Sequence, residues 1–382
     1  MNDAQAKTQR VLAALEHREP DRVPVGEFFW TNFLRRARTR YGESLDPYRH
    51  WDLDLIVVTP NMDPRITGIE VIEQTQERKI VKTGFGATIE RRGNYPVPHY
   101  AAFETQSFEQ MDALRFDDPQ DKRRYFEAID DQINAVGDEL NLGLPSWIAR
   151  VNACAADFCV FGSVCEPHEM LWRIIGTENA LYKMGEDPAR VAQFVARLGD
   201  FLVGIAKAQI AAARGKLSGL YIWGDIACRH GMFFSPKFWR EAYKPQLKRI
   251  CDTAHAAGLK TIYHGCGNAS PVYEDMIEAG VDAYNPLEAK AGLDVVELKR
   301  KFGKRWSFNG NINVQVLETN DRGKVREEVL TKLNAGRGGG YIFQSDHSIP
   351  DSVDPETYDY VIQLVRKYGT YPLQLGKYDR RI

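Results

Sequence analysis

The chain has 382 residues, 43% hydrophobic and 27% charged, so it can bury a large core and lacks the composition of a disordered segment. Its 50 basic and 52 acidic residues leave a formal net charge of −2 with no basic stripe, which argues against sequence-independent nucleic-acid binding. No apolar run approaches the roughly 20 residues of a membrane span, the polar N-terminus lacks the apolar core of a secretory signal, and six cysteines in so long a chain suit a reducing cytoplasm better than a disulfide framework.

Residues 5–17 read as a helix, with Val11, Leu12, Ala14 and Leu15 at helical spacing and Pro20 beyond its end. The run 23–29, VPVGEFF, predicts a first buried strand, and 53–58, LDLIVV, a second. Between them TNFLRRARTRYG has helical character and stops at Gly42. Residues 68–92 alternate β-branched and charged side chains between turn glycines, which predicts an antiparallel meander inserted at about 63–105. An amphipathic helix is expected at 120–138, a buried strand at 159–164, and helices near 166–185 and 187–214.

The last 165 residues carry the clearest rhythm. Apolar runs at 220–225, 260–265, 282–287, 306–311 and 341–346 alternate with helical segments at 236–257, 270–279, 294–302, 322–335 and 355–368. Strand and helix without hairpin turns make a parallel sheet, and no glycine-rich phosphate turn follows the first strand to favour an open doubly wound sheet. About eight units predict an α/β fold, a single (β/α)8 TIM barrel over 1–382, with an N-terminal helix and the inserted meander.

Barrel chemistry sits where strands run into the following loops. Those ends hold Asp225, His264, Cys266, Glu288, Asn309, Asn311, Asp346 and His347. His264-Gly265-Cys266 places imidazole and thiol one residue apart, with Gly265 to permit the turn, and zinc accepts both. Glu288 ends the next strand and His347 the last predicted one, and they complete a metal set; the rival is a Cys266 thiolate nucleophile activated by His264 or His347. Asp225 can bind substrate, accept a proton or cap a turn. Asn309 and Asn311 can hydrogen-bond a ligand or make a plain Asn-Gly turn. Cys228, His230 and Asp346 lie nearby without being expected to be essential. Phe28, Phe29, Trp30 and Phe33, with Trp223, Phe233 and Phe234, read as core or barrel-mouth packing, a subset including Phe29, Trp30 and Trp223 lining an aromatic substrate pocket.

The segments RVLAALEHREPDRVPV, SPKFWREAYKPQLKRICDTAHAAGLKTIYHGCGN, NPLEAKAGLDVVELKRKFGKRWSFNGNIN and GGGYIFQSDHSIPDSV together resemble the uroporphyrinogen decarboxylase superfamily, in order and over nearly the whole chain. The resemblance implies the (β/α)8 barrel. True uroporphyrinogen decarboxylases carry an arginine-rich MRQAGR-type segment after the first strand; here GEFFWTNFLRR has Arg35 and Arg36 without that motif. The branch of zinc-dependent methyltransferases is the more similar. His264 and Cys266 match its His-x-Cys pair and Glu288 its exchangeable glutamate, while its late cysteine is here His347, with Asp346 the alternative third ligand.

That branch implies Zn2+ as a Lewis acid and methyl transfer between a small methylated compound, a methyl ether or a thiol, and a corrinoid (cobalamin). The corrinoid is expected on a separate partner protein, since no Asp-x-His-x-x-Gly segment occurs here. A homodimer is the family-level expectation. The alternatives are a metal-free decarboxylase of another carboxylate substrate, with Asp225 or His347 managing protons, and a non-catalytic barrel that binds a tetrapyrrole or serves as a partner subunit.

Overall fold

A computed structural model describes residues 3–92, 98–133 and 146–382. The strands in chain order are β1 (Leu55–Val58), β2 (Glu70–Gln74), β3 (Arg78–Lys82), β4 (Ala87–Arg92), β5 (His99–Phe103), β6 (Cys159–Cys165), β7 (Gly219–Trp223), β8 (Ala227–Cys228), β9 (Gly231–Met232), β10 (Lys260–His264), β11 (Ala283–Asn285), β12 (Ser307–Asn309) and β13 (Tyr341–Ile342). Seven form one curled sheet in the order β1-β6-β7-β10-β11-β12-β13, and every neighbouring pair in it is parallel.

The eighth position belongs to the expected first strand, in shortened form. Around Val25 the chain pairs in parallel with Phe343. Phe343 N–H donates to the Pro24 carbonyl at 2.8 Å, Gly26 N–H to the Phe343 carbonyl at 3.0 Å, and Asp54 N–H to the Val25 carbonyl at 2.8 Å. The 23–26 segment therefore stands between β13 and the entry to β1 and closes a barrel. Pro24 has no N–H to give the ladder, so this member is a bridge instead of a full strand.

Strand side chains alternate in direction. One set, Leu55, Cys159, Phe161, Tyr221, Ile262, Ala283 and Ile342, fills the barrel, and Val11 and Leu15 of helix Asp3–Leu15 plug its floor. The same alternation aims Trp223, His264 and Asn285 inward at the upper ends of β7, β10 and β11, where they are register partners. This layer is where the packed core stops.

Outside the barrel lie the long buried helix Pro188–Ala213, capped by Asp187, and helices Pro167–Ile175, Lys244–Ala256, Val295–Phe302, Arg322–Lys332 and Pro355–Tyr368. The 166–185 stretch splits at Gly176, and the 236–257 stretch begins with a π-helical turn, Trp239–Tyr243. The helix expected at 120–138 is reduced to the short turn Arg123–Phe126, with 134–138 outside the described residues. Buried Arg124 explains the short turn, because its guanidinium reaches the carbonyls of Asn61, Asp63, Asp117 and Asp118 and fixes loop geometry. Strands β2–β5 form a separate antiparallel sheet. Among the described residues no helix is long and apolar enough to cross a membrane.

Candidate active site

The upper ends of the strands open into a cavity of about 460 Å³. Its wall includes Trp223, Asp225, His264, Cys266, Asn285 and His347, and Phe28, Phe29 and Trp30 line it as well.

His264 ends β10, and its Nδ1 lies 2.6 Å from Asn285 Oδ1, which itself accepts from the Tyr221 hydroxyl at 2.5 Å. An amide oxygen at Nδ1 calls for a proton there, which leaves the Nε2 lone pair available. That Nε2 is 3.7 Å from Cys266 Sγ. Gly265 contributes space at this point, since a Cβ there would come within 3.0 Å of the Gly224 carbonyl oxygen. The left-handed backbone in this turn lies at Gly267, at φ +76°.

Two groups of donors share the Cys266 sulfur. Asp225, His264 and Cys266 bring ligand atoms within 4.8 Å of one another, and so do Cys266, Glu288 and His347. Backbone hydrogen bonds fix the carboxylates: Cys266 N–H donates to Asp225 and Gly267 N–H to Glu288, each at 2.8 Å. Lys290 pairs with the other Glu288 oxygen at 3.0 Å. Burial and the neighbouring Asp225 and Glu288 carboxylates hold the Cys266 thiol well above its ordinary pKa, so without a cation it stays protonated at neutral pH and is a poor nucleophile. Burial and Lys290 lower the His347 pKa, which keeps a neutral ring suited to a metal. Asp225 retains 42% side-chain exposure through the cavity, yet protein rings it closely, and that enclosure with the nearby Glu169 raises its pKa.

Of the two late candidates, His347 reaches the sulfur and Asp346 does not belong to either donor group. Both Asp346 oxygens serve the backbone, accepting from Ala289 N–H at 2.8 Å and Val314 N–H at 2.9 Å. Trp30 stacks on the His347 ring, with centroids 5.6 Å apart.

Two expected ligand-binding residues do not line the cavity. Asn311 is fully buried; its amide donates to the Leu287 and Leu293 carbonyls, while its oxygen accepts from Val295 N–H and Lys332. It ties loops together. Asn309 is also fully buried, and Asn285 on the adjacent strand takes the lining position, donating to the Asn309 carbonyl at 2.8 Å. Phe29 lines the cavity from within an aromatic cluster with Phe33, Trp51 and Tyr358. Exposed Cys228 and His230 are absent from the wall.

Several wall residues were not singled out from the sequence: Tyr100, Glu169, Trp172 and Arg173. Glu169 and Arg173 are four apart just beyond β6, a helical pair that the residues 166–185 displayed. Tyr100 comes from the antiparallel sheet, and nothing in its local sequence announces the barrel mouth. Arg35 and Arg36 stay away from the cavity: Arg35 donates to Asn32, and Arg36 pairs with Asp354 at the surface. A cationic clamp for a poly-carboxylate is thus not built from them.

The model of the family described as uroporphyrinogen decarboxylase (URO-D) matches residues 81–368. A uroporphyrinogen decarboxylase of Shewanella loihica is 23% identical over 342 residues, covering 88% of this chain and 84% of that protein. One from Shewanella piezotolerans is 27% identical over 177 residues, under half of either protein at 45% and 46%. Among solved structures, a methyltransferase from Methanosarcina mazei superposes with a TM-score of 0.63 at 15% identity, over 95% of this chain and 98% of that one, which shows a shared fold. With the family model covering most of its length, this barrel belongs to the uroporphyrinogen decarboxylase family.

Proposed function

We propose that the chain is a zinc-dependent methyltransferase, moving a methyl group between a small methylated compound and a corrinoid carried on a separate protein. The observation that carries the reading is the convergence of thiol, imidazole and carboxylate donors on Cys266 from separate strand ends. Zinc accepts that mixture, and a catalytic site keeps one position open for substrate. His264 and Cys266, joined by His347 from the second donor group, would hold the ion, with Glu288 in the position that substrate takes over. Bound there, zinc supplies Lewis acidity toward an ether oxygen or a thiol sulfur.

The chain's own residues do the rest. Asn285 orients His264, and Trp30 orients His347. Phe28, Trp30 and Trp223 give the cavity flat apolar walls that suit a methyl ether and exclude water. The reduced corrinoid on its partner protein would supply the nucleophile for the methyl carbon, and the ether oxygen left as alkoxide or phenoxide would need a proton. Asp225, on the wall beside His264, would give that oxygen a proton.

The test is metal analysis after gentle purification, together with methyl transfer to cobalamin in the Co(I) state from a panel of methoxylated compounds. One zinc per chain and transfer from at least one ether are expected, with both lost in Cys266→Ser. A zinc-free chain that decarboxylates a carboxylate substrate, or Cys266→Ser with unchanged turnover, would sink the proposal.

A further inference from the structure

The cavity wall holds a second polar group, which the proposed metal chemistry leaves unused. Helix Pro167–Ile175 places Glu169 and Arg173 one turn apart on the wall, and β5 brings Tyr100 against them. Arg173 donates to Glu169 Oε1 through Nε at 3.0 Å and a terminal nitrogen at 2.6 Å, and to the Tyr100 hydroxyl at 2.8 Å. Trp172 Nε1 donates to the other Glu169 oxygen at 2.9 Å. The Tyr100 hydroxyl accepts a second bond, from the Gln132 amide at 3.3 Å.

Donors outnumber acceptors in this corner. A guanidinium has five N–H groups and a phenol one O–H. Among the described residues, three Arg173 N–H groups have partners, and the Tyr100 oxygen accepts twice while its own proton meets no acceptor. Both Glu169 oxygens are already engaged. The Arg173 side chain is only 16% exposed, so bulk water has little access to it. Half-buried donors without acceptors favour a ligand that brings oxygen, and the planar fork of arginine favours a carboxylate. The walls that this corner shares with Cys266 include Phe28, Trp172 and Trp223, which suit a flat ring.

We infer that Arg173 and Tyr100 form an oxyanion subsite, and that the substrate is a methoxyarene whose ring also carries a carboxylate or similar acidic oxygen. The inference rests on the reading of the cavity around Cys266 as the methyl ether site. Glu169 and Asp225 supply the contrary possibility, since two carboxylates on one wall also suit a cationic ligand.

Calorimetric titration of the whole chain, zinc-loaded and zinc-stripped, separates these outcomes with 4-methoxybenzoate, methoxybenzene and 4-methoxybenzylamine as probes. The benzoate is expected to bind about tenfold tighter than methoxybenzene, the worth of one charge-assisted hydrogen bond. Tyr100→Phe and Arg173→Lys should each cut that ratio by about threefold or more, with methoxybenzene affinity little changed. Equal affinity for the three probes, no binding of any, or tightest binding of the amine overturns the subsite. The unmodified chain decides this even if the Arg173 variant does not fold. Failure to load zinc with the benzoate preference intact removes the metal reading and leaves the subsite; zinc loading with no preference does the reverse.

Discussion

At the floor of the barrel Asp54 is fully buried and accepts from Arg10 at 2.5 Å, from Arg22 at 2.6 and 2.9 Å, and from Val25 N–H at 2.8 Å. At the mouth the acids are kept differently. Asp225 and Glu288 flank the Cys266 thiol, with Lys290 paired to Glu288, and burial together with these carboxylates drives the Cys266 pKa up. Negative charge at the floor is matched by permanent cations, whereas at the mouth it is underfilled. A divalent cation inverts that electrostatic situation, because a coordinating thiol loses its proton to the metal. The difference between the two ends marks one as scaffold and the other as a place for a ligand.

The largest effect follows at the floor. Asp54→Ala strands Arg22 and one side of Arg10 in a buried setting and removes the acceptor for Val25 N–H, on the segment that closes the barrel. Removal of one partner from such a buried cluster costs about 3–5 kcal/mol. Urea denaturation should show that loss, while the folded fraction still binds zinc as the parent does. A loss under about 1 kcal/mol would mean the floor is not the matched scaffold described.

The division between floor and mouth was partly legible in the sequence. The inward alternation of LYIWGD and KTIYHG, the strand-helix rhythm and the polar strand ends were local signals, and His264, Cys266, Glu288 and His347 came from them. Asn309 and Asn311 carried the same signal and turned out buried, because position at a strand end does not reveal which loop a side chain will bind. Tyr100 escaped notice for the opposite reason. Its placement depends on how the antiparallel sheet docks, a long-range contact with no periodic trace. The strand expected at 23–29 was legible by composition, but the proline limits its pairing to a bridge around Val25.

A smaller effect tests how rigidly the mouth is held. Asp346 bridges the loops of two candidate ligands: it precedes His347 and accepts from Ala289 N–H, the amide that follows Glu288. It also accepts from Val314 N–H. Asp346→Asn replaces one acceptor oxygen with a donor, so one of the two loops loses its tie. Zinc affinity, measured by competition with a chelator, should fall about 10- to 100-fold, as for other residues that orient metal ligands. Unchanged affinity would show that His347 and Glu288 do not act as a pair around the ion.

The smallest effect concerns an acid that the mouth keeps neutral. Glu27 follows the closing segment and is buried against Ser345, which donates to it from its hydroxyl at 2.5 Å and its N–H at 3.2 Å, and against Tyr358 at 3.2 Å. Burial pushes its pKa from 4.5 up to about 8. The folded chain therefore retains a proton that the unfolded chain has released at intermediate pH. The resulting stabilisation is complete below about pH 4.5 and is lost as pH rises through about 8. Glu27→Gln cannot ionise, so its stability should fall less over that window than the parent's, by roughly 1–2 kcal/mol once local relaxation is allowed for. Thermal unfolding at a series of pH values measures the two slopes. Parallel slopes would place Glu27 among the matched acids, like Asp54, and would move the boundary between scaffold and site upward in the barrel.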